Sequence, residues 1–221
     1  TFQLGSNGQL SGSVSGGGGN DTLIASDANN IWNINGSNAG DLNGLEFSDI
    51  ENLTGGAGDD TFIFTEGGSI SGNIDGGAGN NTLDYSALST NTNVNLEAAT
   101  ATAVAQFENI NAYLGGSGND TLQAKNSNND WTVSAVDTGQ VNDFDFSAVE
   151  NIQGGTGLDS LNAADQTNTW NITSEDAGEL NGLAFVDIEN LIGGNAEDEF
   201  LFAVGAYVSG NLAGGLGSDR V

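Results

Sequence analysis

The sequence predicts an all-β fold: a single right-handed parallel β-helix (β-solenoid) of about eleven turns, each of about 20 residues. Three observations lead there. A glycine-rich nonapeptide recurs seven times, the segments between copies alternate apolar and polar residues, and no stretch keeps the i, i+3, i+4 apolar spacing of a helix. Each copy reads Gly-Gly-x-Gly-x-Asp-x-apolar, with small departures. The glycine pairs are Gly16-Gly17, Gly55-Gly56, Gly76-Gly77, Gly115-Gly116, Gly154-Gly155, Gly193-Gly194 and Gly214-Gly215. The sixth position holds Asp21, Asp60, Asn81, Asp120, Asp159, Asp198 and Asp219, and the eighth Leu23, Phe62, Leu83, Leu122, Leu161, Phe200 and Val221.

The copies set a period. Successive glycine pairs follow at steps of 39, 21, 39, 39, 39 and 21 along the chain. If the longer step spans two turns and the shorter one, each turn takes about 20 residues, the size of a single structural repeat. The turns skipped by the nonapeptide then fall at Trp32, Trp131 and Trp170, which stand at one common distance ahead of Gly55, Gly154 and Gly193. There the glycine turn is reduced to Gly36 with Gly40, or to Gly139 or Gly178. A propeller blade has a similar length to the longer step, but the shorter steps fit a solenoid better. A longer repeat lies on top: one offset of the chain against itself places Trp32 on Trp170 and Ile50-Glu51-Asn52-Leu53 on Ile188-Glu189-Asn190-Leu191. Residues 1–221 therefore read as one continuous array. Thr1-Phe2 aligns on Thr61-Phe62 and Val221 on Leu83, so the array reads as a slice of a longer protein.

Within each turn the elements are short strands. Thr61-Phe62-Ile63-Phe64, Thr82-Leu83-Asp84-Tyr85 and Trp170-Asn171-Ile172-Thr173 alternate, or nearly so, and are rich in aromatic and β-branched residues. Gly, Asn, Asp and Ser clusters bound them, which is turn chemistry because Gly and Asn accept positive φ at little cost. The eighth-position hydrophobes and Phe47, Phe146 and Phe185 are expected to stack in interior ladders. Asn52, Asn109, Asn151 and Asn190, each after a Glu, are expected to form a corner ladder bonded to neighbouring turns. Trp32, Trp131 and Trp170 read as structural ladder residues, with sugar stacking as the alternative.

Charge bounds the partners. Thirty acidic residues face only Lys125 and Arg220, for a net charge of −28. Such a surface repels nucleic acid, whose phosphates need clustered Lys and Arg. It also repels itself unless cations screen it. Cysteine is absent, no run of about 18 apolar residues suggests membrane insertion, and no basic segment followed by an apolar one opens these residues as a signal.

The nonapeptide, as in Gly115-Gly116-Ser117-Gly118-Asn119-Asp120-Thr121-Leu122, resembles the repeats-in-toxin (RTX) motif of bacterial secreted toxins, proteases and giant adhesins. The longer unit from Phe47 through Ile50-Glu51-Asn52-Leu53 to the glycine pair resembles arrays in large haemagglutinin-like surface proteins. The resemblance implies export by a type I system, an extracellular or bacterial cell-surface location, and calcium held between stacked aspartate turns by carboxylate and carbonyl oxygens. Carried onto this chain, the first calcium ligands are Asp198 with Asp219 and Asp60 with Asn81, the two pairs separated by the shorter step. Asp21, Asp120 and Asp159 come next.

Catalysis is not expected: with no His and no Cys, the common bases and nucleophiles are missing. The leading reading is a structural, non-catalytic stalk or filament module of an extracellular bacterial adhesin or biofilm matrix protein, stabilised by calcium. The alternatives are a module binding carbohydrate or ice, hinted at by Thr90-Asn91-Thr92 and Thr100-Ala101-Thr102, or an accessory module of a secreted polysaccharide-modifying enzyme. Uncapped end turns are expected to self-associate end to end or to meet flanking repeats of the same chain.

Overall fold

The structure is a computed structural model that describes residues 1–5, 10 and 12–221. Their regular structure is entirely β, without a helix, and forms a parallel β-solenoid. The chain divides into two compact units, Thr1–Val94 with Ala98–Gly118, and Asn95–Glu97 with Asn119–Val221.

The first unit runs through β1 (Phe2–Gln3), β2 (Ser13–Ser15), β3 (Thr22–Ile24), β4 (Ile31–Gly36), β5 (Ala39–Leu42), β6 (Leu45–Ser48) and β7 (Asn52–Thr54). It continues with β8 (Thr61–Phe64), β9 (Ile70–Asp75), β10 (Thr82–Asp84), β11 (Asn93–Asn95), β12 (Thr100–Ala101), β13 (Val104–Glu108) and β14 (Ala112–Leu114). One of its sheets orders β1-β3-β7-β9-β13-β12 and the other β2-β6-β5-β4-β8-β10-β14. The second unit holds β15 (Thr121–Gln123), β16 (Asp130–Ala135), β17 (Thr138–Val141), β18 (Phe144–Ser147), β19 (Asn151–Gln153) and β20 (Ser160–Asn162). It ends with β21 (Asn168–Ser174), β22 (Ala177–Leu180), β23 (Leu183–Val186), β24 (Asn190–Ile192), β25 (Asp198–Phe202) and β26 (Leu212–Ala213). Its sheets order β15-β19-β23-β22-β21-β25 and β18-β17-β16-β20-β24-β26.

The register corrects the expected turn length. Leu53 pairs with Ile74, Leu23 with Leu53, and Ile152 with Phe185, so turns differ in length and most exceed the expected one. The solenoid has about six turns, not eleven. The longer step between glycine pairs is therefore not two turns. From Leu23 one turn reaches Leu53 in the same sheet, and a short stretch of chain then crosses to Phe62 in the opposite sheet. The shorter steps stay within one sheet, as Phe62↔Leu83 and Leu191↔Leu212 do.

The extra residues are spent on antiparallel meanders, which the reading of skipped glycine turns did not foresee. β4-β5-β6, β16-β17-β18 and β21-β22-β23 each fold up, down and up inside one sheet. Their hairpins turn at residues with positive φ: Asn38 (51°) and Asn43 (51°), Asp137 (53°) and Asn142 (52°), Asp176 (49°) and Asn181 (52°). Asn43-Gly44 and Asn181-Gly182 are the residue pairs that two-residue hairpins of matching twist require. Gly40, Gly139 and Gly178 lie in the middle strands, not in turns. A Cβ on Gly40 would come within 2.0 Å of the Asn33 carbonyl oxygen, so the neighbouring backbone excludes any side chain.

Alternation puts one residue in two inside. Leu23, Phe62, Leu83, Leu122, Leu161 and Phe200 are buried, as are Phe47, Phe146 and Phe185. Val221, the seventh of the series, is instead 87% exposed: it follows the last bridge, Glu199↔Arg220, and no described strand covers it. The three tryptophans are fully buried. Trp32 stacks on Phe62 with centroids 5.7 Å apart, and Trp170 on Phe200 at 5.5 Å. Phe47, Phe146 and Phe185 meet Trp32, Trp131 and Trp170 edge-on at 5.9, 5.8 and 6.0 Å. At about 25 cal/mol per Å² over roughly 150–250 Å², each buried indole stabilises the fold by roughly 4–6 kcal/mol.

Candidate functional site

The residues that recur in fixed phase form buried polar pairs where strands of the solenoid begin. The unit is an Asn–Asp pair 30 residues apart: Asn30 with Asp60, Asn129 with Asp159, and Asn168 with Asp198. In each pair the aspartate Oδ1 accepts from the backbone N–H of the asparagine (2.8, 2.7 and 3.0 Å) and from its side-chain Nδ2 (2.7 Å each time). All six side chains are buried.

The asparagine amide is a hub. Asn129 Nδ2 lies 2.9 Å from Lys125 O, 2.6 Å from Ser127 O and 3.0 Å from Gly154 O, besides its 2.7 Å approach to Asp159. The same four-oxygen surround recurs at Asn30 and Asn168. Two amide protons thus serve a loop of their own turn and the glycine pair of the next. On the other side, Asn43, Asn142 and Asn181 donate Nδ2 to Oδ1 of Asn30, Asn129 and Asn168 at 3.0, 3.2 and 2.8 Å. The meander hairpin is thereby tied to the ladder, because these asparagines are its positive-φ residues.

The ladder climbs through backbone amides. Asp60 N–H donates to Asn81 Oδ1 at 2.9 Å, and Asn81 N–H to Asn111 Oδ1 at 2.9 Å. Glutamates take the same role elsewhere: Asp21, Asp120 and Asp159 donate their N–H to Oε2 of Glu51, Glu150 and Glu189 at 2.8, 2.7 and 2.7 Å. These amides sit at the turn before a strand, where no ladder carbonyl reaches them, so a side-chain acceptor is needed.

The glycine pair makes room for the carboxylate. A Cβ on Gly55 would lie 2.2 Å from Asp60 Oδ2, and one on Gly193 would lie 2.3 Å from Asp198 Oδ2. The second glycine has the other role, since Gly56 sits at φ 113°, a region that side chains disfavour. Burial pushes the carboxyls of Asp60, Asp159 and Asp198 above their ordinary value of 3.8, and the hydrogen bonds from Asn30, Asn129 and Asn168 offset part of that.

Several expected residues take the expected places. Asn52, Asn151 and Asn190 donate Nδ2 to the carbonyls of Asp21, Asp120 and Asp159 in the neighbouring turn at 3.1, 2.9 and 3.1 Å. Asn109 stands at a different point of the repeat. Its φ is 54°, like Asp49 and Asp187, and its Nδ2 donates to Asp75 Oδ1 at 2.7 Å. The residue in phase with Glu51 is Asn111. Trp32, Trp131 and Trp170 have no exposed ring with which to stack a sugar. Thr92 is buried with its hydroxyl against Tyr113, and Thr102 Oγ1 accepts from Asn93 N–H at 2.8 Å, while Thr90 is exposed.

The expected calcium ligands are brought together as neighbours, but through other chemistry. Asp198 N–H donates to Asp219 Oδ1 at 3.1 Å, which parallels Asp60 and Asn81. One carboxylate oxygen of Asp60, Asp159 and Asp198 is already held by an asparagine amide. Among the described residues, no group of three or more His, Cys, Asp or Glu side chains could hold a metal ion. A calcium cage takes about six to eight oxygens, so one at these turns would be completed by backbone carbonyls.

Sequence reasoning missed Asn30, Asn129 and Asn168, and the glutamates as acceptors. The signal was there: each of the three asparagines stands two places before a tryptophan of the repeat. No family model matches the chain, and no curated protein or solved structure does either.

Proposed function

We propose that this chain is a structural, non-catalytic stalk or filament module of an extracellular bacterial adhesin or matrix protein. The observation that carries this reading is the recurrence of the Asn–Asp ladder in three copies, each binding one turn of the solenoid to the next. Residues repeated in this way serve the stacking of turns, which is what a repeat held under tension needs. The RTX-like nonapeptide and the net charge of −28 support a secreted setting, where ions screen the surface.

Within this proposal the partner is more solenoid of the same kind, either a second copy stacked end to end or flanking repeats. Phe64 is fully buried and stacks on Tyr85 at 4.8 Å. Its counterpart in the longer repeat, Phe202, is 37% exposed beside Leu201 and Val204. A further strand with an aromatic ring in Tyr85's place would cover it.

Force spectroscopy on the chain held between two handle domains tests the mechanical reading. We expect cooperative unfolding steps, and Asn129→Ala to lower the force of the step to which it belongs. Unfolding at forces no higher than those of an unstructured acidic chain rules the stalk out. Surface labelling of the producing cells checks the location.

A further inference from the structure

Three Asn-Gly pairs lie among the described residues, Asn35-Gly36, Asn43-Gly44 and Asn181-Gly182, while Asn7-Gly8 lies outside them. The pair is chemically labile. Asparagine is thermolabile, and a following glycine has no side chain to keep its nitrogen away from the asparagine amide. The fold treats the three pairs differently.

Two of them are locked. Asn43 Oδ1 accepts from the Ile31 N–H at 2.8 Å, and its Nδ2 donates to Asn30 Oδ1 at 3.0 Å. The nitrogen that follows is engaged as well, since the Gly44 N–H donates to Asp41 Oδ1 at 2.9 Å. Asn181 is held in the same way, by the Thr169 N–H at 2.9 Å and by Asn168 Oδ1 at 2.8 Å. Both asparagines occupy hairpin turns, at φ 51° and 52°.

Asn35 is not held. It is exposed, and its side chain has no hydrogen-bond partner among the described residues. It also stands outside the strand pairing. β4 meets β5 through Ile34↔Gly40 and then Gly36↔Ala39, so Asn35 is the extra residue of a bulge. Beside it opens a hollow of about 420 Å³ that Ala39, Gly40, Asp41 and Glu46 help to line. The small residues leave the Asn35 side chain room to turn back on its own main chain, and leave water a way in. The bulges of the other two meanders carry Ser134-Ala135 and Thr173-Ser174, and neither has the amide.

We infer that Asn35-Gly36 is a site of spontaneous covalent modification in the folded protein, converting to aspartate and isoaspartate ahead of Asn43-Gly44 and Asn181-Gly182. The Gly36 nitrogen attacks Asn35 Cγ, and the new C–N bond closes a succinimide ring. The side-chain nitrogen leaves as ammonia, carrying the proton that the Gly36 N–H gives up. Water then adds to one of the two ring carbonyls and opens the ring. One opening leaves aspartate. The other leaves isoaspartate, whose main chain runs through the former side chain and gains a methylene. No oxidant or reductant takes part.

The change falls where the first meander clasps the following turn. Gly36 O accepts from the Ser69 N–H at 3.1 Å, and the Asn38 N–H donates to Ser69 O at 2.7 Å. Asn38 Oδ1 accepts from the Ser71 N–H at 2.8 Å, and its Nδ2 donates to Ser71 Oγ at 2.9 Å. A methylene added just before Gly36 shifts these partners out of register, whereas aspartate at the same position keeps them. The isoaspartate thus loosens with age the hold of one meander on the chain entering β9, and the other two meanders keep theirs.

The test ages the whole folded chain in mildly alkaline buffer and follows it by peptide mapping, with fragmentation that tells isoaspartate from aspartate. We expect Asn35 to convert at least about tenfold faster than Asn43 or Asn181, because each of those must first release two hydrogen bonds. In urea that protection is gone, and the three pairs are expected to convert at similar rates. Amide exchange at Ser69 and Ser71 is expected to be faster in the aged chain than in fresh protein or in the Asn35→Asp variant, which adds the charge without the methylene. An Asn35 that stays an amide in the folded chain, or converts no faster than Asn43 and Asn181, overturns the proposal. Rates that remain unequal in urea assign the difference to local sequence and not to the fold, and overturn it equally. Exchange at Ser69 and Ser71 that ageing leaves unchanged, or that Asn35→Asp already matches, overturns the loosening of the clasp.

Discussion

Asn129 shows how much one amide can hold. It bonds its own loop, the glycine pair of the next turn and a buried carboxyl, and its Oδ1 receives the hairpin residue Asn142. Asn129→Ala removes the donor and leaves Gly154 O and Asp159 Oδ1 short of it inside the core. The loss is expected to be about 2–4 kcal/mol, or a fall in Tm of about 5–15 °C for a chain of this size. Thermal unfolding by circular dichroism reads it. At the first glycine of a pair the cause is volume. Gly193→Ala places a Cβ 2.3 Å from Asp198 Oδ2 and 2.4 Å from Gly214 O, so it is expected to destabilise by about 2 kcal/mol or more. Ala in place of the exposed Gly18, where no neighbour lies within 4 Å, is the control and is expected to leave Tm within a degree or two of the parent.

The meanders rest on two supports, an indole below and a positive-φ hairpin above. The indole nitrogens of Trp32, Trp131 and Trp170 are buried without an acceptor. Tryptophan is therefore held there by its ring area and not by its donor. Trp131→Phe, which keeps most of the area and removes the unsatisfied N–H, is expected to cost no more than about half of what Trp131→Ala costs, itself about 3–5 kcal/mol. Equilibrium unfolding in urea separates the two. A ratio near one would mean that the indole N–H has a partner after all. In the hairpin, Gly182 at φ 102° follows Asn181 at 52°. Gly182→Val is expected to weaken the β22–β23 turn by about 1–2 kcal/mol, read as faster amide exchange at Leu180 and Leu183, the paired residues that flank the turn.

Across the whole chain, charge sets the response to salt. With 30 acidic residues against two cations, self-repulsion opposes the compact state and monovalent salt relieves it. Sodium chloride is expected to raise Tm steadily. Calcium, compared with chelator at equal ionic strength, is expected to add nothing further, since Asn30, Asn129 and Asn168 already hold one oxygen of Asp60, Asp159 and Asp198. A calcium-specific rise that disappears in Asp198→Ala/Asp219→Ala would restore the ligand set that the RTX resemblance implies. Phe202→Asp addresses the exposed apolar edge of β25: if end-to-end association occurs there, sedimentation shows it in the parent and not in the variant.

The all-β solenoid and most of its interior are legible in the residues alone. Six of the seven nonapeptide hydrophobes, the three phenylalanines and the three tryptophans lie inside, because a period-two pattern held in phase with a turn motif leaves few other ways to bury them. The recurrence of Asn after Glu likewise pointed to Asn52, Asn151 and Asn190 as rungs between turns. How far apart the rungs stand was settled in three dimensions. The longer step between glycine pairs is compatible with two short turns or with one long turn and a crossing to the other sheet, and spacing cannot separate them. The choice is made by Asn43-Gly44 and Asn181-Gly182, which reverse the chain into an antiparallel meander, and by the tryptophan beneath that needs the added strands as cover. The aspartates show the same division. Their recurrence is plain along the chain, but whether a repeated carboxyl points outward to an ion or inward to an amide depends on what lies one turn away. Here that neighbour is an asparagine 30 residues earlier in the chain.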